Sequence, residues 1–139
     1  MDILFMCVAN SARSQMAEGI ARRLAPEGVR IHSAGSEPTG VRPAAILAMA
    51  EIDVDISGHT SKGTDAISTQ RIDTVITLCA EEVCPIVFAD SERLHWPIAD
   101  PADDSLSMEN QLERFRIART EIHERIVHYF DQLSQLRSR

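Results

Sequence analysis

Cys7 and Arg13 stand with five residues between them in the stretch Cys7-Val8-Ala9-Asn10-Ser11-Ala12-Arg13-Ser14. A thiol, a guanidinium and a loop of small residues can place a nucleophile beneath a bound oxyanion. The apolar run Ile3-Leu4-Phe5-Met6 reads as a buried strand, and an amphipathic pattern begins near Arg13. Backbone N–H groups of Val8 through Ser14, in a loop that feeds a helix start, lack helical partners and can cradle a tetrahedral anion. The planar fork of Arg13 suits two oxygens of that anion at once. The same positive field favours the thiolate of Cys7, the nucleophilic form. Ser14 can donate its hydroxyl to that thiolate, and Asn10, in mid-loop, tolerates left-handed backbone. Taken alone, the pair also fits a buried strand-end cysteine beside a surface arginine. The strand-to-helix junction, Ser14 and Asn10 together favour the anion site.

Two further groups carry chemistry. Cys79-Ala80-Glu81-Glu82-Val83-Cys84-Pro85 holds the other two thiols, with four residues between them. Three readings stay open for this segment: a buried strand-end cysteine and an unrelated loop cysteine, a zinc site completed by Cys7 or His95, or a thiol relay closed by a mobile loop. Asp100-Pro101 follows His95-Trp96-Pro97-Ile98-Ala99, a stiff extended segment. A carboxyl at that place can hand a proton to a departing oxygen; the plain alternative is a turn aspartate. His59 and His95 can border such a site, whereas His32, His123 and His128 fall where surface or packing roles are expected.

The elements that must position these groups alternate. Strand signals cover residues 2–7, 29–34, 72–78 and 93–96; helix signals cover 13–25, 43–51 and 108–136, with a short helix expected at 66–71. In the first helix Met16, Ile20, Ala21 and Leu24 form the apolar face, and Glu18, Arg22 and Arg23 fall on the more exposed side. In the last helix Leu112, Phe115, Arg119, Ile122, Ile126, Phe130 and Leu133 give one buried stripe. Strand–helix alternation implies a parallel sheet whose ligands gather at the carboxyl ends of the strands. Cys7 ends the first strand and Cys79 follows the third, so adjacent strands would bring those ends within roughly 5 Å across the sheet.

At 139 residues the chain is expected to form a single catalytic domain, residues 1–139. The net charge of −7 argues against nucleic acid and against a basic membrane patch. No apolar run reaches membrane-spanning length. Three cysteines without a basic leader fit a reducing cytoplasm.

Cys7-x5-Arg13-Ser14 with Asp100-Pro101 resembles the low-molecular-weight protein tyrosine phosphatases. The run Asn10 to Gly19, Ser33-Ala34-Gly35, Asp55-Ile56-Ser57-Gly58-His59-Thr60-Ser61, and Thr77-Leu78-Cys79 with Cys84-Pro85 is more similar to the arsenate reductases built on that fold. The resemblance implies a three-layer α/β architecture of the phosphotyrosine protein phosphatase I-like kind, with a four-stranded parallel sheet and helices on both faces. It implies arsenate as substrate, with phosphate or sulfate as look-alike ligands. Cys7 attacks, Asp100 protonates the leaving oxygen, Cys79 attacks Cys7, and Cys84 attacks Cys79. Thioredoxin or a similar thiol reductant then reopens the Cys79–Cys84 disulfide, with no cofactor and no catalytic metal. The alternative is a phosphatase using Cys7, Arg13 and Asp100; a sparse set of aromatics and Ala102 after Asp100-Pro101 weaken phosphotyrosine recognition. An oxyanion sensor without turnover is a third reading. Two departures bear on these expectations. Relatives that bind potassium use positions matching Asn10, Glu18 and Ser33 plus an acidic residue where this chain has Lys62, so the Lys62 ammonium is expected to replace the ion and brace the loop by reaching toward Glu18 and Asn10. The short Cys79–Cys84 spacing bears on the identity of the reductant.

Overall fold

The first strand is the axis of the molecule. A computed structural model describes residues 1–67, 71–80 and 90–137. Strand β1 (Asp2–Cys7) lies between β2 (Arg30–Gly35) and β3 (Thr74–Thr77), and β4 (Glu92–His95) flanks β3. All three pairings are parallel, in the order β2-β1-β3-β4. An inner strand covered on both faces needs an unbroken apolar run rather than an alternating one, and Ile3, Leu4, Phe5 and Met6 are all fully buried. The outer strand β4 carries Glu92, Arg93 and His95 on exposed positions, the charged edge that discourages further pairing.

Alternation along β1 splits the core in two. Ile3 and Phe5 face a large cluster built with α1 (Arg13–Leu24), α2 (Pro43–Ala50) and α3 (Met108–Arg137). Leu4 and Met6 face Ala34, Val75, Ile72 and Ile67 on the other side, where Ile67 comes from a 3₁₀ turn, Thr64–Ile67. Helical elements thus cover both faces, as the resemblance implies. That turn begins two residues before the expected short helix at 66–71; residues 68–70 of the expected span lie outside the described residues. The α3 stripe is present, with Phe115, Ile122, Ile126 and Phe130 buried. Arg119, placed in that stripe by periodicity, instead spends its guanidinium on the Ala48 carbonyl at 2.6 Å and Glu51 at 2.8 Å. The hydrogen bonds from Arg116, then Arg119, hold the Glu51 carboxyl down to about 2, which ties the end of α2 to α3.

Two faces of α1 depart from expectation. Leu24 is exposed, and Glu18 is buried at 2% exposure. Helical periodicity sorts by residue type and cannot see partners that arrive from other segments.

The connection from β1 runs to one side, to β2, and the chain then crosses back to β3 on the other side. The strand order therefore reverses between β1 and β3, and the carboxyl ends there frame a crevice. Past the strands, the Leu78 N–H donates to the Met6 carbonyl at 2.8 Å and the Ile98 N–H to the Leu78 carbonyl at 3.2 Å. The segment after β3 thus lies against the end of β1, and the segment after β4 lies against that one.

Candidate active site

Cys7 is buried where β1 ends, and its loop turns directly into α1. The loop carbonyls are bonded away from its centre. Val8 accepts from the Glu37 N–H at 2.8 Å, Ala9 from Thr39 at 3.1 Å, Ser11 from Arg42 at 2.8 Å and Ala12 from Met16 at 2.9 Å. Gln15 Nε2 donates to the Asn10 carbonyl at 3.2 Å, and the Ser61 hydroxyl to that of Ala9 at 2.9 Å. In a trans peptide the N–H points opposite the carbonyl, so a loop held by its carbonyls from outside offers its amides to the space above Cys7.

Asn10 is the keystone of that loop. It takes the left-handed backbone at φ 47°, which asparagine tolerates, and its side chain is fully buried and used at both ends. Nδ2 donates to Ser14 Oγ at 2.8 Å and to Ser33 Oγ at 3.1 Å. Oδ1 accepts from Gln15 Nε2 at 2.9 Å and from the Lys62 backbone N–H at 2.7 Å. Ser14 Oγ lies 2.9 Å from Cys7 Sγ. Because Asn10 already donates to that oxygen, the Ser14 hydrogen is free to point at sulfur, the arrangement that stabilises a thiolate.

Beneath the loop, Glu18 gathers partners from three segments. It accepts a short hydrogen bond from the Ser33 hydroxyl. Arg22 lies at 3.2 Å, the Lys62 ammonium at 3.5 Å and His59 Nδ1 at 3.6 Å. A buried carboxylate is tolerable when so surrounded. The Lys62 ammonium reaches Glu18 and the Thr60 carbonyl at 3.1 Å; Asn10, contrary to expectation, is met by the Lys62 backbone rather than its ammonium. Gln15 Nε2 also faces the Thr60 carbonyl at 3.0 Å, so its own oxygen faces His59 Nδ1 at 2.9 Å. Burial pushes the His59 imidazole below its ordinary value, with the nearby Arg22 and Lys62 adding to that and Glu18 opposing it. A neutral His59 with its hydrogen on Nδ1 therefore fixes the Gln15 amide.

Arg13 is aimed by carbonyls. Nη1 donates to the Ile98 carbonyl at 3.0 Å and to that of Leu78 at 3.3 Å, and Nη2 lies 3.9 Å from Asp100 Oδ2. Asp100 is half exposed and turns back to accept the Ala102 N–H at 3.0 Å. A cleft of about 300 Å³ opens over the site; Cys7, Arg13 and Asp100 line it, together with Val8, Ala9, Ser11 and Ala12. Thr39, Arg42 and Ala102 complete its rim. The structure thus gathers the Cys7–Ser14 loop and Asp100 around one cleft, and Asn10, Glu18, Ser33 and Lys62 beneath it. Cys79 is buried, follows Leu78 directly, and is disulfide-bonded, while Cys7 is a free thiol. Cys84 lies outside the described residues. His95, by contrast, bonds Thr77 Oγ1 at 2.6 Å. No helix among the described residues is long and apolar enough to cross a membrane.

Sequence reasoning gives no role to Thr39 or Arg42, and takes in Gln15 and Gly35 only as part of a resemblance. Gly35 pairs with Cys7 across β1 and β2. A Cβ there would meet Val8 O at 2.4 Å, Asn10 N at 2.7 Å and Cys7 O at 2.9 Å. The signal for Gly35 is a glycine ending a strand beside the one that carries Cys7, where close backbone approach has no other residue to use.

Comparison with known proteins agrees with this geometry. A family model described as low molecular weight phosphotyrosine protein phosphatase matches residues 2–139. Arsenate reductase 2 of Staphylococcus saprophyticus is 43% identical over 131 residues, which cover 93% of this chain and 95% of that one. The solved structure of an arsenate reductase in the phosphate binding state superposes with a TM-score of 0.80 at 34% identity, over 94% of this chain and 97% of the other. A thioredoxin-dependent arsenate reductase of Corynebacterium glutamicum matches at 29% identity with a TM-score of 0.62, over 96% of this chain and 62% of that one.

Proposed function

The chain belongs to the low molecular weight phosphotyrosine protein phosphatase family, and from that premise we propose that it reduces arsenate to arsenite through a relay of its own three thiols. The observation that carries this reading is a second thiol, Cys79, two residues past Thr77, where β3 ends beside Met6 of β1. Phosphate-ester hydrolysis has no use for that second sulfur.

Arsenate, a tetrahedral oxyanion, fits the loop amides and the Arg13 fork. The Cys7 thiolate attacks arsenic, and one arsenate hydroxyl leaves as water after taking a proton from Asp100. The product is a Cys7–arsenate thioester in which arsenic is still pentavalent. Cys79, as thiolate, then attacks Cys7 Sγ. The S–As bond breaks with its electron pair going to arsenic, which leaves as arsenite, and a Cys7–Cys79 disulfide forms. Cys84 attacks Cys79, releases the Cys7 thiolate and leaves Cys79–Cys84 oxidised. A dithiol reductant of the thioredoxin type returns that disulfide to two thiols. A cycle that starts from three thiolates belongs in a reducing compartment, which favours the cytoplasm.

The test is arsenate-dependent NADPH oxidation with thioredoxin and thioredoxin reductase supplied. Arsenite should form in proportion to NADPH consumed. Brisk aryl-phosphate hydrolysis without arsenate turnover would make the chain a phosphatase.

In the same reading the Lys62 ammonium, 3.5 Å from Glu18, supplies the positive charge that a potassium ion would bring beneath the loop. Turnover and melting temperature are therefore expected to be the same in potassium and sodium chloride at equal ionic strength. A rise specific to potassium would contradict this role for Lys62.

A further inference from the structure

The rim of the anion cleft holds a cation that the relay leaves unused. Arg42 lines the cleft with Cys7, Arg13 and Asp100. Its backbone is fixed from two sides. The N–H donates to the Ser11 carbonyl at 2.8 Å, and the following Pro43, which opens α2, holds the residue extended at φ −72°, ψ 135°. Its guanidinium is one-third exposed, and Nη1 donates at 2.7 Å to Oδ1 of Asp104, which is 81% exposed. Asp104 belongs to the loop that carries Asp100, a loop braced within itself. Asp100 accepts the Ala102 N–H, and Asp103 accepts both the N–H and the hydroxyl of Ser105. The Arg42–Asp104 pair therefore joins the α2 wall of the cleft to its acid-loop wall.

Charge gives the pair a purpose. The chain carries a net −7 and as a whole repels anions. Arsenate, a mono- to dianion at neutral pH, must enter a cleft that already holds the Cys7 thiolate. Arg13 divides its donors between the Leu78 and Ile98 carbonyls and leans toward Asp100. We propose that Arg42 is a specificity-determining second cation of this cleft, which draws tetrahedral oxyanions toward Cys7, and that exposed Asp104 is the counter-ion it trades for the anion. The proposal rests on the reading that arsenate occupies this cleft and names a residue that tunes its capture.

The two partners must then act in opposite directions. The probe is inorganic phosphate, which binds without being reduced, read as protection of Cys7 from alkylation by iodoacetamide and located by mass spectrometry. Arg42→Gln keeps the backbone bond to Ser11 and removes the charge. The half-protecting phosphate concentration should rise roughly three- to tenfold, an effect that added sodium chloride shrinks. Asp104→Asn should lower it roughly two- to threefold, and Arg42→Lys should fall between wild type and Arg42→Gln. In turnover assays KM for arsenate should follow the same order, with kcat within about twofold of wild type.

A purely bracing role predicts otherwise. Both variants would then move protection in the same direction, without salt dependence, and kcat would fall; that result overturns the proposal, as does unchanged protection in Arg42→Gln. Phosphate protection in a wild type that reduces no arsenate would sink the proposed activity and leave the Arg42 ordering to be read from phosphate alone. No phosphate protection of wild-type Cys7 would sink both.

Discussion

Replacing Cys79 by serine is expected to lower steady-state arsenate reduction by at least about a thousandfold while leaving aryl-phosphate hydrolysis within about twofold. The two chemistries share a first step and part after it. Each begins with the Cys7 thiolate, the loop amides, the Arg13 fork and the Asp100 proton. Hydrolysis of a phosphocysteine then needs only water. Release of arsenite needs a second sulfur that can attack Cys7 and hold the resulting disulfide, and a serine hydroxyl does neither. Cys79 is buried directly after Leu78, whose carbonyl accepts from Arg13, so the substitution also probes whether the end of β3 keeps Arg13 aimed. Aryl-phosphate hydrolysis is the control for that: it reads the Cys7 cleft and ignores the relay. A parallel loss of both activities would assign Cys79 to structure alone.

Alanine at Gly35 is expected to be nearly as damaging, for a different reason. The added methyl would press on three backbone atoms of the Cys7 loop, all closer than 3.0 Å. Flexible side chains can yield to such a contact; a loop whose carbonyls are bonded to Glu37, Thr39, Arg42 and Ser61 cannot yield without moving its amides. Displacing an oxyanion cradle by a fraction of an ångström to one ångström costs about a hundredfold in rate, and overpacking a dense site costs about 1–3 kcal/mol of stability. Arsenate and aryl-phosphate turnover should fall together in this variant, unlike in Cys79→Ser, with a lower melting temperature. Normal activity in Gly35→Ala would mean that the close approach is not needed.

These two positions show what local sequence could and could not carry. The strand, loop and helix around Cys7 are contiguous, so a continuous apolar run, a left-handed asparagine and a helix start were legible from neighbouring residues. Strand β3 was legible for the same reason, and its place beside β1 turned a geometric expectation about Cys7 and Cys79 into adjacent strand ends. Glu18 was misplaced on the exposed side of α1. Its burial depends on Ser33, His59 and Lys62, which reach it from other segments, and no helical period encodes that. Arg42 was passed over because its partner Asp104 is 62 residues away. Gly35 was quoted only as part of a resemblance; what makes it necessary is another segment's backbone. In α2 nearly every residue is apolar, so the pattern could not say that Ala44, Ala45, Ala48 and Met49 face inward while Leu47 is exposed.

The central claim is the three-thiol relay, and its most direct measurement compares wild type with Cys84→Ser in arsenate-dependent NADPH oxidation with thioredoxin and its reductase. The relay predicts continuous turnover in the wild type. In the variant it predicts a burst of about one arsenite per chain, after which the enzyme stalls as a Cys7–Cys79 disulfide. Undiminished turnover in Cys84→Ser would contradict the relay and place the reductant's attack on Cys7 or Cys79 directly.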